Sequence, residues 1–453
     1  MIKKAGRIGF APLVSHGQVA NERARRIADD SRKYIQKREG IEVFCPDDPI
    51  ISLEDASRAV SMFRRSEIDA LVIQHCMHSP GNLSAELVRD LPVPLAVWAV
   101  PEIPFDSNPL NCASMMSALG HAAALTAMGR RFTFVYGLAD AEEARRDLDK
   151  FVKAVMVRRA LRRAAIALIG YKSPSMYAAT IDEVLIKNVF GTEVRHVSLA
   201  DVIAEVRQLQ PEEIDADLRE VKSGDYLVEV TDPDALRRSC AAYVAIRKIV
   251  ERNGFAAIAT KCWPELTDGE KLGICVAHSR LTDSGIPSNC DGDVDGALTM
   301  LIQHLYTGRP PFYANWLQRD DKNNVVQFWA CGSAPASLVS PRFEPKITDS
   351  QRGENTVIFD FPLKTGEVTL ARLQSFRGVC KLLLVRGRAV ETPPALKGTY
   401  VAVRFEPPVR VLLDTIIKHG FPQHVSIVYE DIEGELTEFA EQLGMEVVTP
   451  PKT

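Results

Sequence analysis

Over its first 160 residues the sequence alternates short apolar runs with longer amphipathic ones, and few folds accept that pattern. Strand-like runs fall at 7–14, 41–45, 70–74, 94–100 and 131–136, with helical spacing at 21–37, 53–65, 82–89 and 113–129. Regular alternation of this kind argues a parallel sheet covered by helices on both faces. Five strands fit a flavodoxin-like domain, in which ligands meet the carboxyl ends of the strands. Those ends carry Ser15-His16-Gly17, Gln74-His75-Cys76-Met77-His78-Ser79 and Pro101-Glu102-Ile103-Pro104. No cysteine or carboxylate stands at metal-site spacing from His75 and His78, so these histidines read as hydrogen-bonding groups.

A highly charged helix at 141–161 leads into a second α/β stretch. Its expected strands are 163–170, 193–198 and 255–260, and its expected helices are 176–190, 199–209, 211–221 and 232–253. After about residue 310 the pattern changes to strands in near succession at 325–331, 356–361, 367–373, 378–385 and 399–405, which suggests an antiparallel sheet or barrel. A helix at 408–418, a strand at 425–429, a helix at 433–443 and a strand at 446–448 close the chain. The expected architecture is two flavodoxin-like or Rossmann-like α/β domains, 1–162 and 163–286, followed by a mostly antiparallel β-rich C-terminal domain, 287–453.

Composition narrows the function classes. The chain has 55 Lys and Arg against 59 Asp and Glu, a net charge of -4, which gives no support for nucleic-acid binding through a global basic field. No apolar run reaches 18 residues and the N-terminus shows no signal-peptide core, so a cytoplasmic protein without membrane association is expected. Nine scattered cysteines read as thiols of a reducing compartment. No Walker A loop, GxGxxG fingerprint or GxSxG elbow occurs.

Two segments concentrate the acids. Thr260-Lys261-Cys262-Trp263-Pro264-Glu265-Leu266 places a carboxylate just past the tip of a strand. Asn289-Cys290-Asp291-Gly292-Asp293-Val294-Asp295-Gly296 supplies three more and runs into an apolar helix at 297–306. Gathered acids are costly unless something positive sits among them. A hard divalent cation such as magnesium or manganese is one answer. A helix N-cap at Asp291 or Asp293 with Glu265 exposed is the other. Cys275 and His278, with Cys262 and Cys290 nearby, match no paired CxxC spacing, so a zinc site is not expected. Cys331 reads as a strand-end cysteine with no adjacent base.

These two segments, together with Cys331-Gly332-Ser333-Ala334-Pro335 and Gly420-Phe421-Pro422-Gln423-His424-Val425, resemble the L-fucose isomerase and L-arabinose isomerase superfamily along nearly the whole chain. The resemblance implies a three-domain enzyme that interconverts an aldose and a ketose. It further implies that Glu265, Asp293 and His424 bind one Mn²⁺, or another divalent cation such as Mg²⁺ or Co²⁺. Glu265 and Asp293 would also move the proton through a cis-enediol. Asp291 and Asp295 would act as cap or supporting groups, and Trp263 and Ser333 would contact a small sugar. A homo-oligomer, trimer or hexamer, is expected. The chain departs from its relatives at Asp291, where many have glutamate, at Ala330, where many have histidine, and at Ala11, where fucose isomerases have arginine. The departures at Ala11 and Ala330 motivate one alternative, a metal-dependent lyase or epimerase using the same enediolate chemistry; a second, a non-catalytic sugar-binding protein on the same scaffold, is opposed by the retention of all three ligand-type residues.

Overall fold

The computed structural model describes residues 6–15, 22–102, 112–351, 356–394 and 396–451. His16, Gly17, Ile103 and Pro104, named above at strand ends, lie outside them. The chain divides into two compact units: residues 1–159 with 434–444, and residues 160–433 with 445–453.

The first unit runs β1 (Gly6–Leu13), α1 (Glu22–Gln36), β2 (Ile41–Phe44), α2 (Leu53–Arg65), β3 (Ala70–His75), α3 (Asn82–Arg89), β4 (Leu95–Ala99), α4 (Ser114–Ala127), β5 (Thr133–Tyr136) and α5 (Glu142–Leu161). Its strands pair in the order β2-β1-β3-β4-β5, every pair parallel. The central strands are apolar almost without interruption because both sheet faces are covered. One face packs Phe10, Val72 and Trp98 and the other Ala11, Ile73 and Val97. Helix α2 starts where the sequence supplies a capping box: Asp55 N–H donates to the Ser52 hydroxyl, and the Asp55 carboxylate accepts from Ser52 N–H. His75 is buried at the end of β3 with Nδ1 3.1 Å from the Ser117 hydroxyl, as a hydrogen-bonding group. Residues 434–444 pack into this unit, where Gln442 Nε2 donates to the Phe151 carbonyl (3.3 Å).

The second unit opens with β6 (Ala165–Ile169), α6 (Glu183–Phe190), β7 (Glu193–Val197), α7 (Leu199–Gln208), α8 (Pro211–Ser223), β8 (Leu227–Glu229), α9 (Pro233–Asn253), β9 (Ala257–Thr260), α10 (Cys275–Asp283), β10 (Ser288–Cys290) and α11 (Val294–Thr307). Four of these strands form a parallel sheet in the order β10-β9-β6-β7. The single helix expected at 176–190 is broken, with a short 3₁₀ turn at Tyr177–Ala179 before α6. The break falls at Asp182, whose carboxylate accepts from Leu185 N–H (2.9 Å) and starts a fresh helix.

The rest of the chain comprises β11 (Phe312–Asp320), β12 (Val325–Ala330), β13 (Lys346–Asp349), β14 (Val357–Pro362), β15 (Gly366–Phe376), β16 (Val379–Val390), β17 (Thr399–Phe405), α12 (Val409–His419), β18 (His424–Val428), α13 (Glu433–Leu443), which belongs to the first unit from residue 434, and β19 (Glu446–Val448). Strands β16, β15, β18, β11, β12 and β17 pair antiparallel in that order, and β17 pairs back to β16, closing a barrel. Phe312, Phe328, Leu370, Leu383, Val401 and Ile427 belong to its buried core. Strand β8 joins the sheet extending from this barrel through β13, although its sequence precedes the barrel strands. The fold is therefore mixed α/β, with parallel sheets and a barrel-like antiparallel C-terminal part. Strands β8, β10, β11 and β13 and helix α10 were not expected from sequence. Ser288-Asn289-Cys290 and Leu227-Val228-Glu229 are too short to show a period. Helix α11 packs on β9, β15 and β18, so it links the parallel sheet to the barrel. Among the described residues no helix is long and apolar enough to cross a membrane.

Barrel closure depends on close backbone approach at the β16–β17 seam. A Cβ on Gly387 would lie 2.6 Å from Val403 Cγ1 and 3.0 Å from the Arg404 carbonyl oxygen. Gly387→Val should therefore destabilise the protein by about 1–3 kcal/mol, the usual cost of overpacking, read as a lower urea midpoint.

Candidate active site

Strands β9 and β10 lie side by side, and both chains turn sharply just beyond them. After β10, Asp291 and Gly292 both adopt left-handed backbone, with φ of 64° and 67°. Gly292 has no alternative, since a Cβ there would sit 2.0 Å from the Tyr171 carbonyl oxygen. Asp291 is a side-chain-bearing residue in the same region, a conformation costing on the order of 1–2 kcal/mol. Ser173 holds it there: its hydroxyl donates to Asp291 Oδ1 (3.0 Å) and its N–H to the Asp291 carbonyl (3.3 Å).

Two residues on, Asp293 caps α11, accepting from Gly296 N–H at Oδ1 (2.9 Å). The same carboxylate receives both arms of Arg372, Nη1 on Oδ2 (2.6 Å) and Nη2 on Oδ1 (3.0 Å), and the Tyr313 hydroxyl donates to Oδ2. Asp293 and Arg372 are each only 1% exposed. Burial pushes the Asp293 carboxyl up, but Arg372 and the neighbouring His424 outweigh it and hold the group below the usual carboxylate range. Burial opposes the charge on Arg372 as well, and Asp293 more than offsets it. Asp295 is also buried, accepting from Ser375 N–H (2.8 Å) and hydroxyl (2.7 Å); burial pushes it up to about 6 despite Arg372 and those bonds.

His424 opens β18, opposite Asn315 of β11. Strand alternation turns Tyr313, Asn315, His424 and Ser426 to the face opposite the core residues Phe312, Ala314, Val425 and Ile427. The imidazole, 4% exposed, lies between the two aspartates: Nδ1 is 3.7 Å from Asp293 Oδ2 and Nε2 is 3.6 Å from Asp291 Oδ2. Tyr313 packs against it with ring centroids 4.7 Å apart.

Asp291, His424 and Tyr313 border a cavity of about 690 Å³. Trp263, Trp316 and Trp329 border it too, as do Ser333, Ala330 and the thiols of Cys262, Cys275, Cys290 and Cys331. No disulfide joins any of the nine cysteines. His278 of α10 also reaches the cavity. Its Nδ1 pairs with the Ser288 hydroxyl, and its Nε2 is buried without a hydrogen-bond partner. Burial alone lowers its pKa to about 3, so the imidazole is neutral at physiological pH.

The residues expected to contact sugar, Trp263 and Ser333, thus share one cavity with His424. Glu265 does not border it. That side chain stands in a wide turn at Glu265–Gly269, is 45% exposed and pairs with Lys261 Nζ (2.6 Å). The lysine contact lowers its pKa. A divalent cation held by Glu265, Asp293 and His424 does not fit these side chains. A carboxylate offers about four lone-pair directions, and the four donors on Asp293 use them. Among the described residues no group of three His, Cys, Asp or Glu side chains is arranged to hold a metal ion. The acid that reaches the cavity is Asp291, which sequence reasoning left as a supporting group, while Asp293 keeps the N-cap role its spacing offered. Arg372, Tyr313 and His278 were missed. Arg372 carried a legible signal: a lone charge inside the apolar run Val368-Thr369-Leu370-Ala371-Arg372-Leu373 needs a buried partner.

Comparison with known proteins agrees with the resemblance. Residues 343–449 match the family model of the L-fucose isomerase C-terminal domain. The chain is 26% identical over 408 residues to a sulfoquinovose isomerase of Alkalicoccus urumqiensis, covering 89% of each chain. A sulfoquinovose isomerase of Priestia aryabhattai is 23% identical over 405 residues, covering 89% of this chain and 90% of that one. A periplasmic solute binding protein from Actinobacillus succinogenes with bound D-allose matches 67% of this chain and 92% of its own at 13% identity. Its TM-score is 0.18, too low to carry an argument.

Two outcomes follow from the buried groups. Removing one partner of a buried ion pair strands the other charge, so Asp293→Asn should cost about 3–5 kcal/mol in urea unfolding. His278 has a folded pKa below its unfolded value near 6.5, so the unfolded chain binds the extra proton and stability falls as pH drops below that value. At about 1.4 kcal/mol per pH unit, His278→Gln should recover about 2 kcal/mol of the stability lost between pH 6.5 and 5.

Proposed function

We propose that this chain is an aldose–ketose isomerase acting on a modified sugar through a cis-enediol. Relatives named for such an isomerase, aligned along most of both chains, support the reaction class. The observation that carries the mechanism is the row Asp293–His424–Asp291 ending at the cavity. A buried carboxylate lies beside Nδ1, leaving Nε2 for the substrate side. The three tryptophans supply apolar faces for the C–H surfaces of a sugar ring.

In the aldose-to-ketose direction the Asp291 carboxylate takes the proton from C2. That C–H electron pair becomes the C1=C2 bond, and O1 takes a proton from the His424 imidazolium. The enediol then returns its O2 proton to His424 as C2=O2 forms, and Asp291 delivers its proton to C1. Both groups end as they began.

Incubation with sulfoquinovose and with neutral and 6-deoxy hexoses in D₂O tests this, read as ketose formed together with deuterium entering at C1 wherever the Asp291 proton exchanges with solvent before its return. Asp291→Asn, which tolerates the left-handed backbone, should lower exchange by about 10²–10⁴-fold. Glu265→Gln should stay within about twofold of wild type, since Glu265 does not border the cavity. The opposite pattern, an inactive Glu265→Gln and an active Asp291→Asn, sinks the assignment.

A further inference from the structure

We infer that this chain holds its active site together without a divalent cation, because a protein cation, Arg372, already occupies the carboxylate a metal would need. The inference rests on the isomerase reading only for where the active site lies. Its ground is the set of contacts on Asp293. Oδ1 accepts from Gly296 N–H and Arg372 Nη2, and Oδ2 accepts from Arg372 Nη1 and the Tyr313 hydroxyl. No lone pair is left for a cation.

The surrounding sequence is shaped to this guanidinium. Gly296, in the first turn of α11, leaves room for it. A Cβ there would lie 2.9 Å from Arg372 Nη1, 2.8 Å from Asn289 Nδ2 and 2.5 Å from Tyr313 Cε2. To admit a metal at Asp293, Arg372 would have to leave its only direct carboxylate among the described contacts while staying in a site it fills with 1% exposure. A displaced, buried and unpaired guanidinium is strongly unfavourable, and one retained beside a divalent cation would be repelled. The other expected acid is also committed, because Glu265 carries the ammonium of Lys261. Asp291 and His424 remain, and among the described residues no third His, Cys, Asp or Glu side chain joins them in an arrangement that could hold a metal ion.

The test uses the full purified chain. Its metal content is measured by mass spectrometry after gel filtration. Thermal melting is then followed as purified, after dialysis against EDTA, and after adding Mn²⁺. Deuterium incorporation into the most responsive sugar is read in the same three states. The inference expects well under one metal ion per chain, a melting temperature unchanged within about 1 °C, and exchange rates within about twofold across the three states. It is overturned by one equivalent of metal that survives gel filtration. It is equally overturned by a melting temperature that drops about 5 °C or more on chelation and returns with Mn²⁺, or by exchange that requires added Mn²⁺. Should no sugar be isomerised in any state, the isomerase reading falls, while metal content and melting still decide this inference.

Discussion

The buried pair Asp293–Arg372 is the interaction on which the architecture around the cavity depends. Asp293 begins α11, Arg372 lies in barrel strand β15, and their two-point contact fixes the helix to the barrel in both position and rotation. A bidentate guanidinium–carboxylate pair constrains orientation as well as distance. Taking both charges out of water is expensive, and the arrangement is stable only because further donors complete the carboxylate. Gly296 and Tyr313 supply them, which binds the helix start and strand β11 into the same cluster. Whether one views α11 from the parallel sheet or from the barrel, its N-terminus is held at this point.

Everything facing the cavity is set out from that pair. His424 stands beside Asp293 through one ring nitrogen and Asp291 through the other, so a fixed charge behind the imidazole is coupled to an acid in front of it. Asp291 reaches forward only because the backbone turns left-handed for two residues, and Gly292 lets that turn pass beneath Tyr171. Strain at Asp291 is thus the local cost of pointing two acids, two residues apart, in different directions. One becomes a buried structural anion and the other a group able to exchange protons.

The cavity itself is unusual in its balance. Three indole rings and four thiols border it, with Asp291, His424 and the neutral His278 as its titratable chemistry apart from those thiols and Tyr313. Burial pushes the Cys290 thiol up, and the Asp291 charge adds to that, so the sulfur stays protonated; Tyr313 is raised for the same two reasons, burial and the adjacent Asp293. Low dielectric surroundings strengthen the electrostatic contacts among these buried groups.

Much of the fold was legible in the sequence because it follows from local periodicity. The first unit's strands and helices and the antiparallel character after residue 310 each announce themselves within a short window. Short polar strands such as Ser288–Cys290 did not, since three residues cannot establish a period. The site divides along the same line. Local pattern alone places acids around residues 265 and 291–295 and sets His424 just before a strand. Only the tertiary structure decided which acid meets which cation. A carboxylate's role depends on the charge nearest to it in space, and Arg372, which lies 79 residues away along the chain, reaches Asp293 only once β15 and α11 have packed.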